Sequence, residues 1–299
     1  MAKDILTHIQ ENMTSFSKGQ KLIANFILSS YDKAAFMTAC KLGKTVNVSE
    51  STVVRFEAEL GYDGYPSMQK AMQEMIRNKL TSIQRIEVSN DRIGDQDIMS
   101  MVMQSDIEKI RLTLEETDRT SFSRAVEAIS SARRVYILGV RSASALANFM
   151  SCYFTFIFDN VVHVDTTSIS EVFVQVMRIG PDDVLIGLSF PRYSKRTVKA
   201  MQYAKKQGAT VIAITDSDVS PLANIADVSL FAKSDMASFV DSLVAPLSLV
   251  NALIVAVSRV KNDQLEATFG KLESIWAEYE VYEPSAGEET ASDGKTDLH

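Results

Sequence analysis

The chain has 299 residues and a formal net charge of −7, with 46% hydrophobic and 23% charged residues. That length leaves room for two domains and a sizeable core, and that balance suits an ordinary soluble protein. No apolar run is long and uninterrupted enough to span a bilayer, and MAKDILTHIQENM has no signal-peptide apolar core, so a cytoplasmic protein is expected.

Residues 3–13 and 17–30 carry helical periodicity. In the second segment Ser17 is placed to cap, and Leu22, Ile23, Phe26 and Ile27 form a stripe. The next segment, ACKLGKTVNVSESTVVRF (39–56), has the spacing of a helix-turn-helix. Leu42 and Val46 share a face of a first helix, and Val53 and Phe56 share a face of a second. Gly43 removes a side chain where the helices cross. Asn47 occupies the turn, where a left-handed backbone is needed. Ser49 stands as N-cap of the second helix, its hydroxyl available to a free backbone N–H. The polar face of that helix carries Glu50, Ser51, Thr52 and Arg55, which with Ser49 are the candidate DNA contacts in a major groove. The same two-helix pattern also occurs in proteins that never touch DNA, so the flanks matter.

Gly61 ends this helix, Gly64 allows a turn, and Ser67 begins a further helix to about Leu80 with Met68, Met72, Met75 and Ile76 inward. Residues 1–80 therefore read as a bundle of about five helices. They carry ten Lys and Arg against eight Asp and Glu, a balance of +2, whereas residues 81–299 carry −9. This asymmetry has the sign required of a DNA-binding head on an acidic body. A balance of only +2 attracts phosphates weakly, so two heads on one dimer are expected.

Residues 81–97 are polar and read as a linker. Helices are expected over about 97–116 and 120–131. Short apolar runs then alternate with helical segments: VYIL (135–138), VVHV (161–164), VLIGL (184–188), VIAI (211–214) and VSLF (228–231). This alternation predicts a five-stranded, doubly wound parallel sheet. The apolar stretch 239–260 is interrupted by Asp241, Asn251 and Arg259 and kinked by Pro246, and reads as a buried or dimer-forming helix. A last helix over 263–280 holds Trp276, and the acidic stretch 283–299 has no periodicity and reads as disordered. Cys40 and Cys152 fall in separate helices and are expected to be buried free thiols. His8, His163 and His299 are scattered, so neither a metal site nor a cofactor is indicated.

Ligands of an open parallel sheet lie at the carboxyl ends of its strands. Two loops there are rich in donors. Gly139-Val140-Arg141-Ser142-Ala143-Ser144 opens a helix, whose free N–H groups join two hydroxyls and a guanidinium as an anion site. In Ser189-Phe190-Pro191-Arg192-Tyr193-Ser194, Ser194 caps the next helix and Lys195 and Arg196 follow in its first turn. Cations oppose the dipole there, a conflict that a bound anion would relieve. The alternative is a plain cap with solvated cations. Thr215 to Pro221 is read as helix initiation, with Ser220 at N-cap and Pro221 at N1. Glu171 is a lone carboxylate, read as solvated or as a hydrogen-bond acceptor rather than a general base.

Taken in order, these segments resemble the RpiR/MurR-type bacterial transcriptional regulators, which join a helix-turn-helix to a sugar isomerase (SIS) domain. VSESTVVRFEAELGYDGYPSMQKAM is similar to the head of that family, and YILGVRSASALA, DDVLIGLSFPRYSKRTV and AITDSDVSPLANIADVSL resemble the SIS segments. The resemblance covers nearly the whole chain except the linker and tail. It implies a homodimer or homotetramer that binds a double-stranded DNA operator and senses a phosphorylated sugar or other anionic metabolite. The domains would be 1–80 (head), 81–97 (linker), 98–282 (SIS-like body with flanking helices) and 283–299 (tail). The implied DNA contacts are Ser49, Thr52 and Arg55. The effector loops hold Arg141, Ser142, Ser144, Ser189, Arg192 and Ser194. The chain departs from the family pattern where Arg141 and Arg192 replace glycines, Ala143 takes a common serine place and Pro191 replaces a serine. Those arginines point to a more strongly anionic ligand, or else they fill the pocket or join subunits. Two rivals remain: a sugar-phosphate isomerase with a helical appendage, which needs a base and an acid that the loops do not supply, and a protein-interaction module.

Overall fold

A computed structural model describes residues 5–76, 83–86, 97–166, 168–236 and 240–282. Most of the expected linker, the end of the helix expected to reach Leu80, and the tail 283–299 lie outside the described residues.

The head is a helical bundle: α1 (Ile5–Glu11), α2 (Lys18–Ser29), α3 (Tyr31–Ala34), α4 (Ala39–Thr45), α5 (Glu50–Glu59) and α6 (Tyr65–Ile76). The short α3 is additional to the expected elements. Ser17 and Gln20 close a capping box on α2, with the Ser17 N–H donating to the Gln20 side chain at 2.8 Å. The buried arc of α2 is Gln20, Ile23, Ala24 and Ile27, so Leu22, expected in the stripe, is rotated outward and 46% exposed. Leu42, Val53 and Phe56 are fully buried where α4 crosses α5. A Cβ on Gly43 would lie 2.9 Å from the Val48 carbonyl oxygen, which is why only glycine fits that crossing. Asn47 is left-handed, with φ 57°. Gly61, with φ +76°, closes α5: the Tyr62 N–H bonds the Glu57 carbonyl at 3.1 Å and the Gly61 N–H bonds that of Ala58 at 3.0 Å. α6 begins at Tyr65, two residues before the expected Ser67, directly after the left-handed Gly64.

The body begins with α7 (Ile98–Glu116) and α8 (Arg119–Ser131). Each is capped by an aspartate: Asp97 accepts from the Met99 N–H, and Asp118 from those of Thr120 and Ser121. The remaining elements alternate: β1 (Arg134–Gly139), α9 (Ala143–Ile157), β2 (Val161–His163), α10 (Ile169–Val176), β3 (Asp183–Leu188), α11 (Lys195–Lys206), β4 (Thr210–Thr215), β5 (Val228–Phe231), α12 (Val244–Val260) and α13 (Asn262–Glu278). The sheet is wholly parallel in the order β2-β1-β3-β4-β5. Its strands are buried on both faces by alternation. Val135, Ile137, Val184, Ile186, Ile212 and Ile214 pack under α8, α9 and α12, while Tyr136, Leu138, Leu185, Val211 and Ala213 pack under α10 and α11.

Three expectations change. The segment after β4 forms turns rather than a helix at Pro221, because the Ser220 hydroxyl is held by Thr215 at 2.8 Å as well as by the Leu222 N–H. The apolar helix starts at Val244, leaving Asp241 outside it and Pro246 in its first turn, where proline needs no kink. Cys40 and Cys152 are free but exposed, because each faces away from the buried stripe of its own helix. Among the described residues no single helix is long and apolar enough to cross a membrane. α12 and α13 pass such a test only as a pair, bent by 95°.

At the amino edge of the sheet, Arg133 grips the buried Asp183 with two bonds of 2.8 and 2.9 Å, and the Gly180 N–H adds a third at 2.9 Å. Burial pushes the Asp183 carboxyl up, but the guanidinium and the backbone donor outweigh it and hold the group below the usual carboxylate range. A depressed acid stabilises the fold above its unfolded pKa, and that contribution is lost as pH falls through the folded value. Asp183→Asn is therefore expected to lower Tm at pH 7 by about 3 °C. The gap from wild type should close in acid, as followed by thermal unfolding across pH. A gap that does not change with pH would contradict this role.

Candidate effector cavity and DNA-contacting helix

In the head, Ser49 takes the N-cap position of α5 with an extended backbone, but its hydroxyl makes no cap bond. Instead it meets the hydroxyls of Ser51 and Thr52, each at 2.9 Å. The expected cap is thereby corrected: the neighbouring hydroxyls capture the oxygen. Ser49, Glu50, Ser51 and Arg55 are exposed on one end of α5, and Thr52 is half-buried. Thr52 is half-buried because α2 comes close: a Cβ on Gly19 would lie 3.1 Å from the Thr52 methyl carbon. The amino ends of α2 and α5 therefore stand side by side. Lys18 and Lys21, both exposed on α2, join this surface. Sequence reasoning missed them because their helix is remote from the motif.

In the body, the sheet order reverses between β1 and β3, and Gly139 and Leu188 are register partners at their carboxyl ends. The two donor-rich loops therefore leave the sheet next to each other, at the topological switch point. A cavity of about 270 Å³ lies between them, lined by Arg141, Ser142, Ser189, Arg192 and Ser194 among the expected residues. Ser144 does not line it. One turn into α9, its hydroxyl turns back to donate to the Arg141 carbonyl at 2.6 Å. Arg85 and Asp241 complete the wall. Neither was legible in the sequence, since they come from segments far from both loops.

Arg141 and Arg192, which the resemblance sets at glycine positions, have a left-handed backbone of the kind that favours glycine, with φ 59° and 66°. Each such residue costs roughly 1–2 kcal/mol relative to a right-handed one. Non-glycine residues held at such angles cluster at active sites, ligand clamps and switch regions. Both arginines are exposed and border the cavity rather than filling it. The loop 189–194 is fixed from below. Thr215 donates to the Ser189 carbonyl at 2.8 Å, Tyr193 donates to Asp216 at 2.8 Å, and the Ser194 N–H donates to the Ser189 hydroxyl at 3.1 Å. Ser194 caps α11 by accepting from the Thr197 N–H, as expected. A serine hydroxyl that accepts from backbone keeps its own proton to give, so Ser189 and Ser194 remain donors. Ser142 makes no side-chain cap bond, and the amino end of the 15-residue α9 opens beside it. Among the described residues, three guanidiniums and one carboxylate line the cavity, so this lining is cationic. Hydroxyl donors, a helix amino end and cationic forks are together the chemistry of an anion site. Glu171 is a hydrogen-bond acceptor, as expected, receiving the Thr166 hydroxyl.

Family models match the chain in two places: a helix-turn-helix domain of the rpiR family over residues 3–79 and a SIS domain over residues 128–256. The chain belongs to the RpiR family. It is a DNA-binding transcriptional regulator with a SIS domain. Relatives of this RpiR-family chain include an uncharacterised HTH-type transcriptional regulator of Caldanaerobacter subterraneus subsp. tengcongensis. That protein is 24% identical over 265 residues, covering 86% of this chain and 92% of the relative. A second such regulator, from Clostridium perfringens, is 24% identical over 227 residues, covering 76% and 80%. Among solved structures, the sugar isomerase domain of the RpiR transcription factor from Sphaerobacter thermophilus is 28% identical with a TM-score of 0.55, covering 60% of this chain and 99% of that one. The Vibrio vulnificus NanR protein complexed with ManNAc-6P is 22% identical with a TM-score of 0.57, covering 92% and 98%.

Arginine at a left-handed position trades stability for a charge. Arg192→Gly in this RpiR-family chain is expected to raise body stability by about 0.5–1 kcal/mol, the left-handed cost less the entropy of glycine. The same variant should weaken anion binding. Calorimetric unfolding and a phosphate titration check both halves; a less stable variant with unchanged binding would refute the clamp.

Proposed function

We propose that this regulator is gated by a phosphorylated sugar or a related anionic metabolite bound in the cavity at the carboxyl ends of β1 and β3. The observation that carries this reading is the pair of left-handed arginines, Arg141 and Arg192, set beside the serines of both loops around one cavity. Arg141, Arg192, Ser142, Ser189 and Ser194 take the anionic group, and the rest of the metabolite extends toward the cavity mouth. Ser49, Glu50, Ser51, Thr52 and Arg55 form the operator-facing surface, with Lys18 and Lys21 on flanking phosphates. Residues 1–80 are the head, 98–282 the sensing body, 81–97 their linker and 283–299 a tail. The protein acts in the cytoplasm, where its DNA lies.

The body binds its metabolite without turning it over. Isomerisation needs a base and an acid at the substrate. Asp241, the carboxylate in the cavity wall, is paired to Arg85 at 2.7 Å, and Glu171 is engaged by Thr166. A homodimer or homotetramer is supported by α13. This 17-residue helix has no buried residue, yet it carries Phe269 and Trp276 on one side, with Ile275 exposed and an exposed Tyr279 at its C-cap. A helix so placed gains its stability from packing against a neighbour.

Two measurements test the reading. In a gel shift with DNA flanking the gene, Arg55→Ala should lose the specific complex, with an affinity loss of about tenfold or more, while keeping the wild-type Tm. Wild-type binding by that variant would overturn the α5 assignment. In a thermal-shift panel of sugar phosphates and acidic sugars, with ManNAc-6P among them, one member should raise Tm. The rise should disappear in both Ser189→Ala and Arg192→Ala; a hit insensitive to both would put the ligand elsewhere.

A further inference from the structure

Arg85 is a charged side chain only 4% exposed, and it lies in the described helical segment 83–86 between head and body. Its guanidinium donates to Asp241 at 2.7 Å, and both residues stand in the wall of the effector cavity. Each is also tied to the head. Gln84, beside Arg85, donates to Asp32 on α3 at 3.1 Å. Asp241 forms an antiparallel bridge with Met236, whose side chain packs against the helices of the head core. On its other side, Ser242 donates to Asp106 of α7 at 2.6 Å, so the segment is anchored at its body end. One ion pair in the cavity thus joins two strings of contacts that both end on the DNA-binding head.

Resting on the proposal that an anion occupies this cavity, we infer that Arg85 is a direct effector ligand and that Asp241 is its stand-in when the cavity is empty. A phosphate monoester carries close to two negative charges at neutral pH and offers three strong acceptor oxygens to the guanidiniums of the wall. A doubly charged acceptor set among several donors outcompetes a single carboxylate for a buried guanidinium. Arrival of the effector transfers Arg85 from Asp241 to phosphate oxygen. Asp241 turns to solvent, its bridge to Met236 loosens, and the body's hold on the head weakens. The effector therefore biases head placement through its unequal affinity for the paired and unpaired arrangements, which is the thermodynamic requirement for coupling. The ligand class is a phosphate monoester, whose double charge and three acceptor oxygens let it compete with Asp241 for Arg85.

Inorganic phosphate serves as the probe, titrated at constant ionic strength by calorimetry into the full-length protein. Asp241→Asn removes the competitor and should tighten phosphate binding by about tenfold, and Arg85→Gln should weaken it by about tenfold. Arg85→Lys, which keeps the charge, should fall between Arg85→Gln and wild type and guards against a folding defect. Amide exchange at Met236 and Asp241 should rise with phosphate in wild type and be already high in Asp241→Asn without it. If Arg85→Gln and Asp241→Asn both bind phosphate like wild type while Arg192→Gly does not, this inference fails and the cavity assignment stands. If Arg192→Gly also binds like wild type, or if wild type binds no phosphate, both fail.

Discussion

Gly139 and Leu188 are register partners at the carboxyl edge of the sheet, where strand order reverses. Both effector loops inherit their positions from that pairing. In the central strands β1, β3 and β4, burial on both faces selects mostly apolar side chains. The exit from β1 needs a glycine: a Cβ on Gly139 would lie 2.4 Å from the Ala143 carbonyl oxygen. Glycine lets the chain fold straight into α9 and brings the amino end of that helix to the cavity. Left-handed turns at Arg141 and Arg192 then place cationic side chains at the edge of the cavity.

The head obeys a similar economy. Gly43 removes the side chain that would strike the Val48 carbonyl, Asn47 supplies the left-handed turn, and Gly61 closes α5. With those three residues fixed, the buried Leu42, Val53 and Phe56 orient α5 so that Ser51 and Arg55 face outward. Head and body are then not independent. Arg85, Gln84, Asp241 and Met236 carry contacts from the cavity wall to the helices of the head. A regulator of this design needs no large rearrangement of its sheet. It needs a local pair with two acceptors competing for one donor.

The local features were legible in the sequence and the distant ones were not. All five strands were read from short apolar runs; in β1, β3 and β4 two-sided burial leaves the pattern almost unbroken. Asn47 was legible because left-handed turns favour a short polar side chain. Arg141 and Arg192 stood out only against the family pattern, since nothing in their neighbours announces a positive φ. Ser49 was misread because its hydroxyl has two rival partners in Ser51 and Thr52, and sequence does not rank a cap against a side-chain bond. The bond from Ser144 back to the Arg141 carbonyl was not legible, because a hydroxyl one turn into a helix can reach back to a carbonyl or forward to a ligand. The exposure of both cysteines, and of Leu22 on α2, follows from helix rotation, which a stripe of four apolar residues leaves undetermined by about one residue, or 100°. Arg85 and Asp241 lie 156 positions apart, and no pattern in one dimension joins them.

The central claim is that an anionic metabolite in the β1–β3 cavity changes the affinity of the head for DNA. Fluorescence anisotropy of a labelled promoter fragment, titrated with protein in the presence and absence of the phosphorylated sugar that stabilises it, measures this coupling directly. The account predicts a specific, salt-sensitive complex whose affinity shifts by about five- to 150-fold with the sugar phosphate. A protein that binds every fragment equally weakly, with or without metabolite, would contradict it.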